Sequence, residues 1–142
     1  MSSSLAVRSN APVAPRQAAI VVGIGVALLW LIELVDQITR GSLDALGIHS
    51  WQVWSLPSIF LAPWLHADWA HLSANTLPFA VLGFLVMIGG AVRAVLSTLW
   101  SVVVSGLSAW LLSAPNTITI GASGLIFGWL TYLLTRGLFA RN

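Results

Sequence analysis

Two groups of polar residues stand where this sequence is otherwise most apolar, and both are of types that could do chemistry. The first is His71 and Asn75, at the start of the apolar stretch Leu72–Ile88. On a helix their i,i+4 spacing puts both side chains on one face. Imidazole N–H and carboxamide N–H₂ groups are the donor types that line an oxyanion hole, where loss of one donor costs about 10²–10³ in rate. The second group is Gly121-Ala122-Ser123-Gly124, opening the last apolar stretch, with Gly128 one turn on. A serine beside a helix N-terminus sits in a positive partial field, which favours an alkoxide or an oxyanion. Polar groups inside a membrane are costly and are functional candidates by default. Each group also has a plainer reading. Gly-Ala-Ser-Gly with Gly128 is a small-residue packing face, and His71 and Asn75 could hydrogen-bond a neighbouring helix.

The elements that must position these groups are membrane helices. Of the 142 residues, 58% are hydrophobic and 7% are charged. Soluble domains carry about 25% charged residues, so the soluble classes are excluded. A crossing takes about 20 apolar residues, so this length allows roughly four crossings and no sizeable soluble domain. The expected fold is an all-α polytopic membrane helix bundle, with transmembrane helices at about 18–35, 72–88, 94–113 and 121–139. Residues 1–17 are Ser-, Ala- and Pro-rich with two Arg, and read as a disordered cytoplasmic tail. A signal peptide is set aside because Glu33, Asp36, Gln37 and Arg40 follow the first apolar run, and no small-residue cleavage site does.

The segment 36–70 is no ordinary polar loop. It holds Trp51, Trp54, Trp64 and Trp69, half of the eight Trp, and Pro57 and Pro63 break any long helix within it. Trp prefers the headgroup layer, so the expectation is a structured interfacial outer loop, partly sunk into one leaflet. With four crossings, Arg8, Arg16, Arg93, Arg136 and Arg141 fall on one side, and Arg40 falls on the other with Asp36, Asp44 and Asp68. The positive-inside rule then places both termini in the cytoplasm and the Trp-rich loop outside, consistent with a plasma-membrane protein.

Topology links the two polar groups. The second and fourth helices run the same way, so His71, Asn75 and Ser123 could meet in one leaflet. Gly121–Thr135 is 15 residues, or about 22 Å of helix at about 1.5 Å per residue. The hydrocarbon core is about 30 Å thick. The fourth helix therefore starts below the surface, reached by a dip at Pro115–Ile120. Irregular backbone at that depth must line a cavity or pack on protein. A water-holding cavity is what intramembrane hydrolysis needs.

Other functions are excluded on composition. The six basic residues are all Arg, scattered singly without a stripe, so nucleic acid is not an expected partner despite a pI of about 10.6. Zero Cys removes disulfides, thiolate metal sites and a Cys nucleophile. His66, Asp68 and His71 do not make a metal set, because positions five apart on a helix point about 140° away from each other. His49 has no partner identifiable from sequence.

His66-Ala-Asp-Trp-Ala-His71-Leu-Ser-Ala-Asn75, opening a membrane helix, resembles the first signature of the rhomboid intramembrane serine proteases. Gly121-Ala122-Ser123-Gly124 with Gly128 resembles their Gly-x-Ser-Gly nucleophile motif. The two occur in the family's order, with one intervening helix and a long loop before the first, and the resemblance runs from about Ala18 onward. It implies Ser123 as nucleophile, and His71 and Asn75 as the oxyanion-stabilising pair, joined by the Ser123 backbone N–H. It implies backbone room at Gly121 and close helix packing at Gly124 and Gly128. Segment 36–70 resembles the family's first loop. Substrates of the family are single-pass membrane proteins cut in or near a transmembrane helix, and neither a metal nor an organic cofactor is used.

Two features depart from the family pattern. No Trp of the loop is followed by Arg, a pair common in the family. The family's catalytic base is a His on a later helix, and no His follows His71 here. A serine hydroxyl is a poor nucleophile without a positioned base. The leading expectation is therefore the N-terminal four-helix portion of a serine endopeptidase with a six-helix core, inactive by itself because the general base is absent from these residues. The bundle should be looser than the whole, with Ser123 on an open flank, or associated with a partner. The alternatives are a rhomboid-like pseudoprotease that holds client transmembrane helices in the same groove, and a structural helix bundle whose glycines only pack.

Overall fold

The computed structural model describes residues 11–140. Four α-helices follow in order: α1 (Pro15–Ile38), α2 (Trp69–Ile88), α3 (Ala91–Leu112) and α4 (Ser123–Phe139). The long segment between α1 and α2 carries 3₁₀ turns at Asp44–Leu46, Val53–Phe60 and Ala62–Trp64. It also carries a two-residue strand, β1 (Ile48–His49), paired antiparallel with β2 (Ile118–Thr119) of the α3–α4 connection.

Each helix boundary has a local cause. α1 starts three residues before the expected Ala18, because Pro15 fits the first helical turn, where its missing N–H has no partner to lose. Residues 15–17 are thus helix, not tail; residues 1–10 of that tail lie outside the described residues. α1 also runs past Glu33 and Asp36 to Ile38, since both acids turn inward and Gln37 donates to Glu33 at 2.8 Å. α2 starts at Trp69, not Leu72, because the Asp68 carboxylate caps it by accepting the His71 N–H at 2.7 Å. Pro78 lies within α2. Gly90, at φ +125°, turns the chain from α2 into α3. Arg93 Nη1 donates to the Gly89 carbonyl at 3.2 Å, and the Arg136 guanidinium packs over Gly89. Two cations thus sit at the end of α2, where the helix dipole is negative. α4 starts at Ser123, with Ala122 as an N-cap that offers no side-chain bond.

α1, α2 and α3 are long and apolar enough to cross a membrane. α4 has 17 residues, or about 26 Å at about 1.5 Å per residue. The expected count of four thus resolves into three full-length spans and one shorter helix. α1 packs on α2, α2 on α4, and α3 along α4. The buried core joins Leu29 of α1, Phe79 and Val86 of α2, Val102 of α3, and Leu125 and Trp129 of α4.

Helices in lipid gain little from water exclusion and associate by close packing and polar contacts. The α3–α4 seam shows how. A Cβ at Gly124 would lie 2.6 Å from Ser105 Oγ, and one at Gly128 would collide with Ser101. Glycines of one helix thus receive serines of the other, and Trp129 Nε1 adds a 2.9 Å bond to Thr98 Oγ1 across the seam. A Gly128→Leu substitution should force α3 and α4 apart and destabilise the protein by about 1–3 kcal/mol, the usual cost of overpacking. Gly137 has nothing within 4 Å of a built Cβ, so Gly137→Leu should leave stability unchanged. Thermal unfolding of both variants in the same detergent checks the pair.

Candidate active site

The site is built where the loop before α2 meets the start of α4. In the loop, Trp51 N–H donates to the Trp110 carbonyl at 3.2 Å, and Trp51 Nε1 donates to the Ser113 carbonyl at 3.1 Å. Trp110 Nε1 returns a 3.0 Å bond to the Gln52 carbonyl. Ser50 bonds Thr117 through its N–H and its hydroxyl. The β1–β2 pair follows, in the register Ile48 with Thr119 and His49 with Ile118. Last, the Gly121 N–H donates to the Ala62 carbonyl at 2.8 Å. The expected dip at Pro115–Ile120 is therefore a strip of backbone hydrogen-bonded to the loop.

Gly121 sits at φ +115°, a left-handed conformation that disfavours a side chain. Its lost Cβ leaves room for His71: a built Cβ would lie 2.7 Å from His71 Cε1 and 2.8 Å from Nε2. The structure thus brings the His71 imidazole against the backbone two residues before Ser123. Asn75 is buried one turn below, its Nδ2 donating to the His71 carbonyl at 3.0 Å. One amide hydrogen is so spent within α2 and the other is left over. Ser123 is the first residue of α4 and its side chain is exposed. The preceding Ala122 is fully buried. Without a side-chain cap, the first N–H groups of α4 lack intrahelical acceptors and carry the positive end of the helix dipole. A cavity of about 200 Å³ adjoins the serine, with Ile59, Ala62, Ser105, Gly121, Ser123 and Gly124 among its lining residues. Its size and its serine hydroxyls suit water.

Three residues have roles that the sequence left unread. Asp68 is the cap of α2, and no cluster of His, Cys, Asp or Glu able to hold a metal occurs among the described residues. His49 bonds the Ala45 carbonyl through Nε2 at 2.9 Å and packs on Trp54 at 4.6 Å. Its spacing of four from Ala45 was the available signal. His66 is buried beside His71, and burial first, then His71, push its imidazole down from 6.5 to about 4. Near the end of α1, burial, then Asp36, then Glu33, push the Asp44 carboxyl up from 3.8 to about 6, against a smaller opposing pull from His71. Asp36 Oδ1 holds this stretch of loop by accepting the Leu43 N–H at 2.6 Å.

The family model of the Rhomboid domain matches residues 50–142. The chain belongs to the rhomboid family. Uncharacterized proteins of Mycobacterium tuberculosis and Mycobacterium bovis are each 48% identical to it over 122 residues, covering 82% of this chain and 51% of theirs. Rhomboid-like protein 11, chloroplastic, of Arabidopsis thaliana is 33% identical over 96 residues, covering 58% of this chain and 34% of its own. This rhomboid spans about half the length of the mycobacterial relatives it matches. No solved structure matches it. The family and the three apolar spans together make it a membrane protein.

Two substitutions test the site's construction. Gly121→Ala adds a Cβ at a left-handed φ and against His71. It should displace the imidazole and cost about 1–3 kcal/mol in stability, read by thermal unfolding. For Asp44 the folded carboxyl binds its proton more tightly than the unfolded one. Its stabilising share is thus full below its unfolded value of 3.8 and is lost as pH rises through about 6. Asp44→Asn escapes that loss, so its melting temperature relative to the parent should rise between about pH 4 and pH 6 and level off above that.

Proposed function

We propose that this rhomboid supplies the nucleophile and the oxyanion site of an intramembrane serine endopeptidase that cuts single-pass membrane proteins. The observation that carries the reading is the His71 imidazole seated on Gly121, two residues before a serine at an uncapped helix N-terminus. In the reaction, Ser123 Oγ attacks the scissile carbonyl carbon and its proton passes to a general base. The His71 N–H, the free Asn75 N–H and the Ser123 backbone N–H bond the oxygen as it becomes an oxyanion. Collapse breaks the C–N bond and releases the amine half of the substrate, protonated by the same base. Water then hydrolyses the Ser123 ester. No His follows His71 in this sequence, and the mycobacterial relatives are about twice as long; we therefore assign the base to a residue outside these 142. No metal, organic cofactor or nucleic acid enters the scheme. The Arg distribution supports a cytoplasmic N-terminus in a plasma-membrane protein as part of this reading.

The test pairs cleavage of a single-pass substrate with labelling by a serine-directed fluorophosphonate. The protein isolated from its own membrane should cleave and label, and both should vanish in Ser123→Ala. Asn75→Ala should lower the cleavage rate by about 10²–10³. The 142-residue chain alone should show no Ser123-dependent cleavage. Cleavage that persists in Ser123→Ala overturns the assignment.

A further inference from the structure

His66 has no part in the reaction drawn above, yet it is among the most deeply buried side chains, at 1% exposure. Neither ring nitrogen makes a well-formed hydrogen bond within the described residues; the nearby Trp64 backbone gives only a small pull against burial. Its ring meets the His71 ring edge to face, with centroids 5.0 Å apart and planes at 66°. His71 in turn lies on Gly121. Four residues before His66, the Ala62 carbonyl holds the Gly121 N–H. The short segment 62–66 therefore touches both halves of the site. Through Ala62 it grips the turn that leads to Ser123, and through His66 it meets the ring that rests on that turn.

We propose that His66 is a positioning residue for His71: its buried ring braces the His71 imidazole and keeps it seated on Gly121, beside Ser123. The catalytic meaning of this contact rests on the protease reading; the contact itself does not. Leu72 and Asn75 are buried on the same helix as His71, so the backbone of α2 is fixed, but the His71 ring is only half-buried. A half-buried imidazole on a fixed backbone can still rotate about its side-chain bonds. The flat edge of His66 removes that freedom. Burial also favours the uncharged form of His66, so the ring that braces His71 brings no buried cation to the site.

Imidazole NMR of the 142-residue chain in detergent micelles, labelled at His and Gly, reads this directly. Only His49, His66 and His71 contribute, so single substitutions assign them. The parent should show cross-peaks between the His66 and His71 rings and between the His71 ring and the Gly121 α-protons. The His66 ring should stay neutral across about pH 5 to 8, the range in which an ordinary histidine titrates. His66→Leu, which removes the flat edge, should lose the His71–Gly121 cross-peak with helix content unchanged. His66→Phe, which keeps a ring, should retain it. A His71–Gly121 cross-peak of parental intensity in His66→Leu overturns the proposal. If the Leu variant does not fold, absence of the His66–His71 cross-peak in the parent, or loss of the His71–Gly121 cross-peak in folded His66→Phe, overturns it instead. None of these readouts needs a reactive Ser123. A failure of fluorophosphonate labelling sinks the protease reading and leaves the His66 result standing on its own.

Discussion

The backbone between α3 and α4 is irregular and still has to satisfy its polar groups, and the candidate site depends on how it does so. A lipid-facing N–H or C=O without a partner costs several kcal/mol, so irregular backbone survives at depth only when packed on protein. Here the partners come from the loop before α2. Ser50, Ile48, His49 and Ala62 meet Thr117, Thr119, Ile118 and Gly121 in succession. The loop's Trp residues serve the same end: Trp51 donates to Ser113, and Trp110 answers from α3. A long connection rich in Trp and Pro is thus less a membrane anchor alone than the other half of a backbone hydrogen-bond ladder. Without it the turn leading to Ser123 would have no fixed shape.

Once that turn is fixed, the geometry of the candidate site follows from space. Gly121 can stand at a left-handed φ and omit a side chain, so the His71 ring approaches the backbone itself. Asp68 caps α2 through the N–H of His71, so the same residue that lies on Gly121 is tied to the first turn of its own helix. Asn75 then bonds back to the His71 carbonyl. Three separate constraints, a cap, a packing contact and a side-chain bond, all act on position 71. The same economy governs α3 and α4, where serine-into-glycine packing at Ser101 and Gly128 needs no water exclusion to hold.

The sequence disclosed the helices through apolar run length, and the two motifs through polar residues placed where lipid solvation is costly. It also disclosed that the backbone leading to a short fourth helix packs on protein, as β2 does on the loop. What it hid is instructive. Glu33 and Asp36 read as the end of an apolar segment, because a charge on a lipid-facing helix would end it; they instead point inward, where Gln37 and the Leu43 N–H meet them. Asp68 read as one more polar residue near two histidines, since a cap shows only once the helix start is known. The β1–β2 pair joins residues nearly seventy positions apart, and two-residue strands carry no periodicity to detect. His66 read as part of a motif and not as a contact, because its burial depends on the loop closing over α2.

The distribution of burial across the site also bears on its chemistry. Ala122, Asn75, His66 and Leu72 are buried, whereas Ser123 is exposed and the His71 ring is intermediate. Supports are held inside and the hydroxyl is left accessible. Packing between α3 and α4 explains Gly124, which receives Ser105, whereas the missing side chain of Gly121 accommodates an imidazole from α2. Packing of α3 on α4 does not call for a left-handed residue two positions before an exposed serine at an uncapped helix start. Preorganised donors are effective because they need not move as charge develops. The candidate site is layered accordingly, with buried supports behind and an exposed hydroxyl in front.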